Sequence, residues 1–380
     1  EGVNMNGATF AAILQACRKF AERECTTVVE GQLRKVVSLQ WVQEIHTDAW
    51  NRGFSSNLVV GNNLLNMYGK CGDVKKAEDL FIGLPYRDIV SWTAMLSAYL
   101  EGGQEEKSIL LYRQILDEKL SPDGQLFVIV IQACCAMATK DTEGHPSMKN
   151  ISLDIGRALH ADVKKTWLHT DPFILNTLII MYGKCGSILE ASNVFCSMPE
   201  PDIVSYNAML SAYLETGEGE TTLQFYQYML QKEQNPDDWT FPTLLQACCL
   251  IAIKEEKFVT EGQWIKPLSL AIGQALYADA EGNGLVRNEF VGISLINMSG
   301  KCGGYSIAEK VFNELSHSDP IPWNAMLSVY IEQAEPDKAL NLYRQMQAEG
   351  ITPSESTFLV MFQACCILAE EKDKSLIALE

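Results

Sequence analysis

Twelve cysteines are the first candidates for chemistry in this chain of 380 residues, because thiolates bind metals, form disulfides and attack substrates. Most of them recur in two kinds of segment, GKCG and QACC. They are Cys71, Cys185, Cys302, Cys134, Cys135, Cys248, Cys249, Cys365 and Cys366. Adjacent cysteines rarely bridge each other, and no C-x-x-C occurs. The pattern therefore indicates small packed side chains in a reducing compartment, without disulfides or a zinc site.

The five histidines form no catalytic pattern either. His46 and His160 stand at one repeated position, but the third copy has Tyr277 there, so packing is the favoured interpretation. The sequence also lacks a phosphate-binding glycine loop, a G-x-S-x-G elbow, and the H-x-E with C-x-x-C of a zinc deaminase. We therefore predict no catalytic residue, no metal, no cofactor and no small-molecule substrate in this chain. A catalytic domain would lie outside it.

An internal repeat explains why these residues recur. The block from Pro172 to Asp237 has near-copies from Leu58 to Asp123 and from Glu289 to Ser354. In the second half of this block, aromatic and leucine side chains recur every three or four residues, as an amphipathic helix requires. A glycine interrupts the helical pattern in each half, Gly186 in the first and Gly217 in the second. The repeat predicts an all-α protein, an α-solenoid superhelix of stacked helix-turn-helix repeats that resembles tetratricopeptide arrays, without a β-sheet.

The composition is that of an ordinary globular chain, with 47% hydrophobic residues, but the formal net charge is -18. Such an acidic balance argues against a nucleic-acid binder, which normally neutralises phosphates with Lys and Arg. No apolar run is long enough to span a membrane. The chain opens on Glu1, and its first residues already match the end of a repeat, so we expect a fragment of a longer protein.

The repeated segments resemble those of plant-type pentatricopeptide repeat (PPR) proteins, in the PLS class whose standard, long and short motifs alternate. NNLLNMYGKCG and NTLIIMYGKCG resemble short motifs, DIVSWTAMLSAYLEGG and DIVSYNAMLSAYLETG standard ones, and LFVIVIQACC and TFPTLLQACC long ones. The long motifs depart from the family because each carries about fifteen extra residues between its helices.

The resemblance divides residues 1–380 into the motifs of a single PPR solenoid fragment. The long motifs are 7–57, 124–171, 238–288 and the partial 355–380; the short motifs are 58–88, 172–202 and 289–319; the standard motifs are 89–123, 203–237 and 320–354.

The family implies that each repeat binds one nucleotide of single-stranded RNA, and that the fifth and last residues of a motif read the base. The implied pairs are Asn62 with Asp88, Thr93 with Asp123, Asn176 with Asp202, Asn207 with Asp237, and Asn324 with Ser354. By the family's rule, Asn with Asp favours uracil, Thr with Asp guanine, and Asn with Ser cytosine. Ile293 with Asp319 departs from this pattern, as do the fifth residues of the long motifs, Ala11, Val128, Pro242 and Leu359.

Two further sets of residues follow from the resemblance. The second residue of each motif could sandwich a base or simply belong to the core; these residues are Val59, Val90, Phe173, Val204, Phe290 and Ile321. Lys70, Lys184 and Lys301 end the first helices of the short motifs, where the family often places a phosphate contact. Solvated turn lysines are an equally good interpretation. The Asn and Asp residues are also favoured helix caps.

Two functions remain open at this point. The family implies sequence-specific RNA binding in a mitochondrion or chloroplast, selecting transcript sites for C-to-U editing or other processing, with other RNA-processing or editing proteins as further partners. The acidic surface and the long insertions favour the alternative, a protein-binding helical-repeat scaffold without RNA readout. The family's targeting peptide is expected outside this fragment.

Overall fold

The computed structural model describes residues 6–29, 32–54, 56–140, 147–260 and 263–377. The chain divides into two compact units, Glu1–Pro199 and Glu200–Glu380. Each unit consists of antiparallel helix pairs, so the prediction of an all-α solenoid fold is confirmed. The division into motifs and their membership of a single solenoid stay predictions.

The first unit stacks helical hairpins side by side. Its helices are α1 (Gly7–Ala21), α2 (Val36–Asn51), α3 (Leu58–Lys70), α4 (Val74–Gly83), α5 (Ile89–Glu101), α6 (Glu105–Asp117), α7 (Gly124–Thr139), α8 (Ser147–Lys164), α9 (Pro172–Lys184) and α10 (Ile188–Ser197), with a 3₁₀ turn at Trp167–Thr170. The first helix of each hairpin packs on the first helix of the next, so α1, α3, α5, α7 and α9 form one layer. The second helices α2, α4, α6 and α8 each pack on the first helix of their own hairpin and on the first helix of the next.

The second unit repeats this arrangement. Its helices are α11 (Ile203–Glu215), α12 (Gly219–Gln231), α13 (Thr240–Lys254), α14 (Pro267–Gly282), α15 (Glu289–Cys302), α16 (Tyr305–Glu314), α17 (Pro320–Glu332), α18 (Pro336–Ala348) and α19 (Glu355–Ile377). Here α11, α13, α15, α17 and α19 form the layer of first helices.

Close backbone approach within this layer depends on small residues. A Cβ atom on Gly69 of α3 would lie only 2.7 Å from the Cβ of Ala98 on α5. Gly186 and Gly217 have positive φ, 75° and 76°, and end their turns as the sequence predicts. Ala334 occupies the corresponding turn of the last standard motif with φ 55°, a conformation that is strained for any residue with a Cβ atom.

Two small β-hairpins correct the expectation that no sheet would be present. Antiparallel strands β1 (Thr27–Val29) and β2 (Gln32–Arg34) join α1 to α2, and β3 (Phe258–Thr260) and β4 (Gln263–Ile265) join α13 to α14. Both lie in the insertions of long motifs, where they leave the helix layers intact. Residues 141–146, in the insertion between α7 and α8, lie outside the described residues.

Each β-hairpin is anchored by a glutamate that precedes it and a lysine that follows it. In the second unit, Glu255 accepts hydrogen bonds from the backbone N–H groups of Leu268 (2.7 Å) and Ser269 (2.9 Å) and from the Ser269 hydroxyl, so it caps α14. Lys266 donates from Nζ to the carbonyl of Ala252 at the end of α13, and its N–H donates to the carbonyl of Cys302 (3.0 Å). The hairpin therefore ties α13, α14 and α15 together.

In the first unit, Glu24 and Lys35 make the corresponding contacts. Glu24 caps α2 through the N–H groups of Val37 (2.8 Å) and Ser38 (2.9 Å). Lys35 bonds the carbonyls of Ala21 and Cys71. The two β-hairpins are therefore held by the same kind of contacts in both units.

The cysteines and histidines mostly pack as predicted. Cys71, Cys134, Cys185, Cys248, Cys249 and Cys302 are buried, and all twelve cysteines are free. Among the repeated cysteines, Cys135 is half-buried and the last pair, Cys365 and Cys366, is exposed. They lie on α19, which has no second helix of its own motif packed on it in the described part of the chain. His46 and His160 are half-buried, and their Nδ1 atoms lie 2.8 and 2.9 Å from the hydroxyls of Tyr68 and Tyr182.

Candidate nucleic-acid interface

The fifth and last residues of the middle standard motif meet at the start of the next helix. Asn207, on α11, donates from Nδ2 to Oδ1 of Asp237 over 3.0 Å. The hydroxyl of Thr240, three residues after Asp237, lies 2.8 Å from Oδ1 of Asn207 and 2.8 Å from Oδ1 of Asp237. An amide, a carboxylate and a hydroxyl therefore form one cluster at the boundary of two motifs.

The same cluster forms between α3 and α5. Asn62 donates from Nδ2 to Oδ1 of Asp88 (3.2 Å), and the Ser91 hydroxyl lies 2.8 Å from Oδ1 of Asn62 and 2.8 Å from Oδ1 of Asp88. Burial raises the pKa of Asp88, but hydrogen bonds from Ser91 and Asn62 outweigh this effect, so the pKa lies below its ordinary value. Asp88 is therefore a carboxylate at neutral pH and can only accept hydrogen bonds.

The last standard motif has a neutral version of the cluster. Asn324 donates from Nδ2 to Oγ of Ser354 (3.0 Å), and the Thr357 hydroxyl donates to Oδ1 of Asn324 (2.7 Å). Ser354 and Thr357 also face each other at 3.1 Å. This cluster contains no charged group, although its geometry follows the other two.

The pair Thr93 and Asp123 differs. Thr93 is buried and donates its hydroxyl proton to the carbonyl of Ile89 on its own helix (2.7 Å). Asp123 is exposed and caps α7 by accepting from the N–H of Leu126 (2.8 Å). No hydrogen bond joins the two side chains among those of the described residues, because the Thr93 hydroxyl gives its one proton to Ile89. The position three residues after Asp123 holds a leucine, so the third member of the cluster is missing as well.

Two further combinations of fifth and last residues do not form such a cluster within one unit. Asn176 lies in the first unit and is buried, and Asp202 lies in the second and caps α11 through the N–H of Ser205 (2.9 Å). Their pairing stays a prediction. Ile293 is half-buried and apolar, and Asp319 caps α17 through the N–H of Ile321 (2.9 Å). Nothing about this last pair changes the expectation that it does not read a base.

Helix capping was the alternative role for the fifth and the last residues, and the two differ in whether they cap a helix. The last residue does cap the next helix at Asp88, Asp123, Asp202 and Asp319, and Asp237 accepts from the N–H of Thr240, the first residue of α13. The fifth residue does not cap its own helix. Asn207 lies inside α11, whose cap is Asp202, and Asn62 lies inside α3, whose cap is Asn57. The idea that these asparagines are caps is therefore wrong.

The second residues of the motifs are exposed and do not belong to the core. Their exposed fractions lie between 52% and 76% for Val59, Val90, Phe173, Val204, Phe290 and Ile321. Each stands three residues before the fifth residue of its motif, on the same helical face. Exposed apolar side chains therefore recur beside the hydrogen-bonding clusters, a combination that suits flat aromatic ligands.

Four residues of this surface were missed from the sequence. Trp239, two residues after Asp237, is 76% exposed at the second place of a long motif. Its position in the repeat was the available signal. The hydroxyls of Ser91, Thr240 and Thr357 were also missed, although each stands three residues after the last residue of a motif. Among the fifth residues of long motifs, Val128 is buried, Ala11 and Pro242 are half-buried, and Leu359 is exposed.

The lysines that end the first helices lie close to carboxylates. Nζ of Lys70 lies 3.6 Å from Glu101 and 3.7 Å from Glu22. Burial raises the pKa of Glu101, and the charge of Lys70 opposes this shift. Glu332 shows the same balance beside Lys301. Lys184 is half-buried at the end of α9. A phosphate that approached Lys70 would therefore compete with two carboxylates.

The described residues contain neither a group of His, Cys, Asp and Glu that could hold a metal ion nor a helix long and apolar enough to cross a membrane. The recurring clusters and the exposed apolar side chains beside them are thus the features on which a function can be argued.

Fold and surface together define a helical-repeat protein that presents a polar cluster at three boundaries between its described hairpins. A family profile described as PPR repeat family matches residues 201–250 and 318–367, and one described as PPR repeat matches residues 62–88, 90–120 and 173–203. These segments are pentatricopeptide repeats, and together they make up just under half of the chain.

The curated relatives that match are pentatricopeptide repeat-containing proteins of Arabidopsis thaliana. One named chloroplastic is 28% identical over 328 residues, which cover 86% of this chain and 48% of that protein. A second, 29% identical, covers 94% of this chain and 44% of its own length, and one named mitochondrial is 28% identical and covers 98% and 32%. The chain thus spans half or less of these relatives' length.

Among solved structures, the chain is similar to the pentatricopeptide repeat protein PPR10 in complex with an 18-nt psaJ RNA element. The TM-score is 0.58 at 15% identity, over 96% of this chain and 53% of that one. A variant of PPR10 with three Cys-to-Ser substitutions, also solved with an 18-nt RNA element, has a TM-score of 0.59 at 14% identity. At such identity the likeness shows the fold alone.

Proposed function

We propose that this chain binds single-stranded RNA, one nucleotide per repeat, and selects bases through the fifth and last residues of its short and standard motifs. The observation that carries the proposal is the recurrence of one arrangement at three motif boundaries. A fifth-place asparagine bonds the last residue, next to an exposed apolar side chain at the second place. PPR10, which shares the fold, was solved with an RNA element bound.

The physical roles divide between the two sets of side chains. A base that stacks on an exposed aromatic side chain, such as Phe173 or Phe290, gains about 1–3 kcal/mol, whichever base it is. An amide and a carboxylate beside it add selectivity, because only some base edges match their donors and acceptors. Val204 and Phe290 would therefore hold the strand, and Asn207 with Asp237 would choose the base.

The net charge of -18 limits the affinity. Lys70 already faces Glu22 and Glu101, so few phosphates would be neutralised, and the salt dependence of binding should be shallow. The acidic surface also favours a second candidate, a scaffold that binds proteins through the stacked hairpins. RNA binding at low salt distinguishes the two.

The setting of this activity is part of the proposal. Relatives named chloroplastic and mitochondrial support an organellar location, and the alternation of long, short and standard motifs supports the PLS class. In that setting the chain would select transcript sites for C-to-U editing or other processing, together with other RNA-processing proteins. Any catalytic step would belong to a different domain or partner.

The test is base choice at the central standard motif. The chain and its Asn207→Thr variant are each used to select from a randomised RNA pool. Asn207→Thr recreates the pairing of Thr93 with Asp123, so the preferred base at this one nucleotide should shift from uracil toward guanine by about 1–3 kcal/mol. Neighbouring positions and the salt slope should not change, because phosphate contacts are a separate contribution.

Asn297→Thr is the matched control, since Asn297 is exposed on the first helix α15 but is not a fifth residue. It should leave all base preferences unchanged. If Asn207→Thr weakened binding evenly for every sequence, Asn207 would not read a base. If the chain bound no RNA at low salt, the protein-binding scaffold would be the better function.

A further inference from the structure

Base reading needs an asparagine whose amide keeps one orientation, because turning the amide by 180° exchanges its donor and its acceptor. In the three clusters the distances agree on one orientation. The contact from the following hydroxyl to Oδ1 measures 2.7–2.8 Å, as O–H···O bonds do. The contact from Nδ2 to the last residue measures 3.0–3.2 Å, as N–H···O bonds do.

The hydroxyl accompanies the asparagine along this chain. The residue three places after the last residue of the motif is Ser91, Ser205, Thr240 or Thr357 wherever the fifth residue is asparagine. It is Leu126 where the fifth residue is Thr93, and Pro322 where it is Ile293. A helix start favours a hydroxyl whatever the fifth residue is, so capping alone does not account for this correlation.

We propose that Ser91, Thr240 and Thr357 are positioning residues for base selection, which hold the amide of the preceding motif's asparagine in one orientation. This inference rests on the proposed function. Each hydroxyl is fully buried and contacts the asparagine rather than the space that a base would occupy. It would therefore act on the RNA through the asparagine.

The three clusters should not depend on the hydroxyl to the same degree. A carboxylate only accepts hydrogen bonds, so Asp88 and Asp237 keep Nδ2 facing them even without the hydroxyl. Ser354 both donates and accepts. Without the Thr357 hydroxyl, Asn324 could face Ser354 with either Nδ2 or Oδ1 and make one hydrogen bond in each case. The orientation at Asn324 would then be lost.

The consequence for recognition is specific. Uracil and cytosine differ at position 4, where uracil has an acceptor oxygen and cytosine a donor amino group, and at N3, which carries a proton only in uracil. An amide that adopts both orientations matches either pyrimidine. Loss of the Thr357 hydroxyl should therefore reduce discrimination between cytosine and uracil at the nucleotide assigned to Asn324 and Ser354.

The experiment compares Thr357→Val, which removes the hydroxyl but keeps the volume, with Thr357→Ser, which keeps the hydroxyl. The whole chain is used with RNA pools randomised at single positions, and circular dichroism verifies the fold. Thr357→Val should reduce the cytosine-to-uracil ratio at this nucleotide by about fivefold or more, and Thr357→Ser should preserve it. Thr240→Val should change the choice at its own nucleotide much less.

The middle motif provides a second test that does not depend on the folding of Thr357→Val. Asp237→Ser copies the neutral cluster into this motif, and adding Thr240→Val to it should relax base choice there. If Thr357→Val keeps its discrimination, or weakens all sequences evenly, the hydroxyl is only a helix cap and the inference is wrong. If the unsubstituted chain shows no base preference at any nucleotide, the proposed function itself has failed.

Discussion

Replacement of Glu255 by alanine should loosen the long motif from inside its insertion. Glu255 ends α13, yet it caps α14 from across the β-hairpin by accepting two backbone N–H bonds and the hydroxyl of Ser269. Its loss removes a helix cap, which costs about 1 kcal/mol. It also leaves the fully buried Ser269 hydroxyl without this partner, which costs about 1–3 kcal/mol more. We therefore expect a local destabilisation of about 2–4 kcal/mol.

Amide hydrogen exchange is the appropriate assay, because repeat arrays open locally rather than all at once. The N–H groups of Leu268 and Ser269 should lose protection, whereas helices away from the insertion should not. Glu256→Ala is the control: it removes the same charge from the adjacent, exposed position. Equal loss of protection in both variants, or no loss in Glu255→Ala, would refute the capping role.

The effect should also depend on pH. Burial raises the pKa of Glu255, but hydrogen bonds from Ser269 and Leu268 outweigh it, so the folded-state pKa lies below the ordinary value. A carboxyl with a lowered folded-state pKa stabilises above its unfolded pKa, about 4.3, and loses this contribution as the pH falls through the folded pKa. The difference between the chain and Glu255→Ala should therefore be full at pH 7 and shrink in acid.

Two further predictions concern stability. Ala334→Gly should stabilise the second unit by about 1 kcal/mol, because it relieves a positive φ, whereas Gly217→Ala should destabilise it by a similar amount; denaturant unfolding that moved both variants the same way would contradict this. Burial lowers the pKa of His160 to about 4, so the unfolded state binds more protons between about pH 4 and 6.5 and the unfolding free energy should fall as the pH falls through that window. His160→Gln should remove this dependence, and an unchanged pH profile in urea titrations would show that His160 is not responsible.

The helices were predictable because their signals are local. Residues at three- and four-residue spacings identify a buried stripe, and aspartates such as Asp88 and Asp202 mark the points where helices begin. The repeated pairs could be located for the same reason, since a motif fixes the register of its fifth and last residues. The sequence could not show whether the side chains of the fifth and last residues lie within hydrogen-bonding distance of each other.

The β-hairpins were missed because a strand of three residues carries little periodicity. The segments TTVVEGQLR and KFVTEGQWI do contain a signal, since each places Glu-Gly between short runs with valine. The contacts that hold them are non-local: Glu255 reaches a backbone 13 and 14 residues away, and Lys266 reaches the next motif. No rule based on neighbouring residues predicts such partners.

The charges of the candidate interface also depended on partners distant in sequence. Lys70 looks like a free cation in the GKCG segment, but Glu22 precedes it by 48 positions and Glu101 follows it by 31, and both lie within 4 Å. Net charge describes the whole chain and contains no information about such pairing.

The double use of the last residue at two motif boundaries would limit how the proposed RNA preference can change in evolution or in engineering. Asp88 caps the next helix, Asp237 accepts from the N–H of Thr240 where the next helix begins, and both also bond the asparagine that we propose reads a base. Replacing either aspartate with an aliphatic residue would remove the hydrogen bond to the N-terminus of the next helix as well as the proposed base preference. The substitutions that keep the helix are Asp, Asn, Ser and Thr. The need for a helix cap therefore limits which residues can occupy the last place, whichever base is to be preferred. A redesigned array should vary the last place only within those four residues.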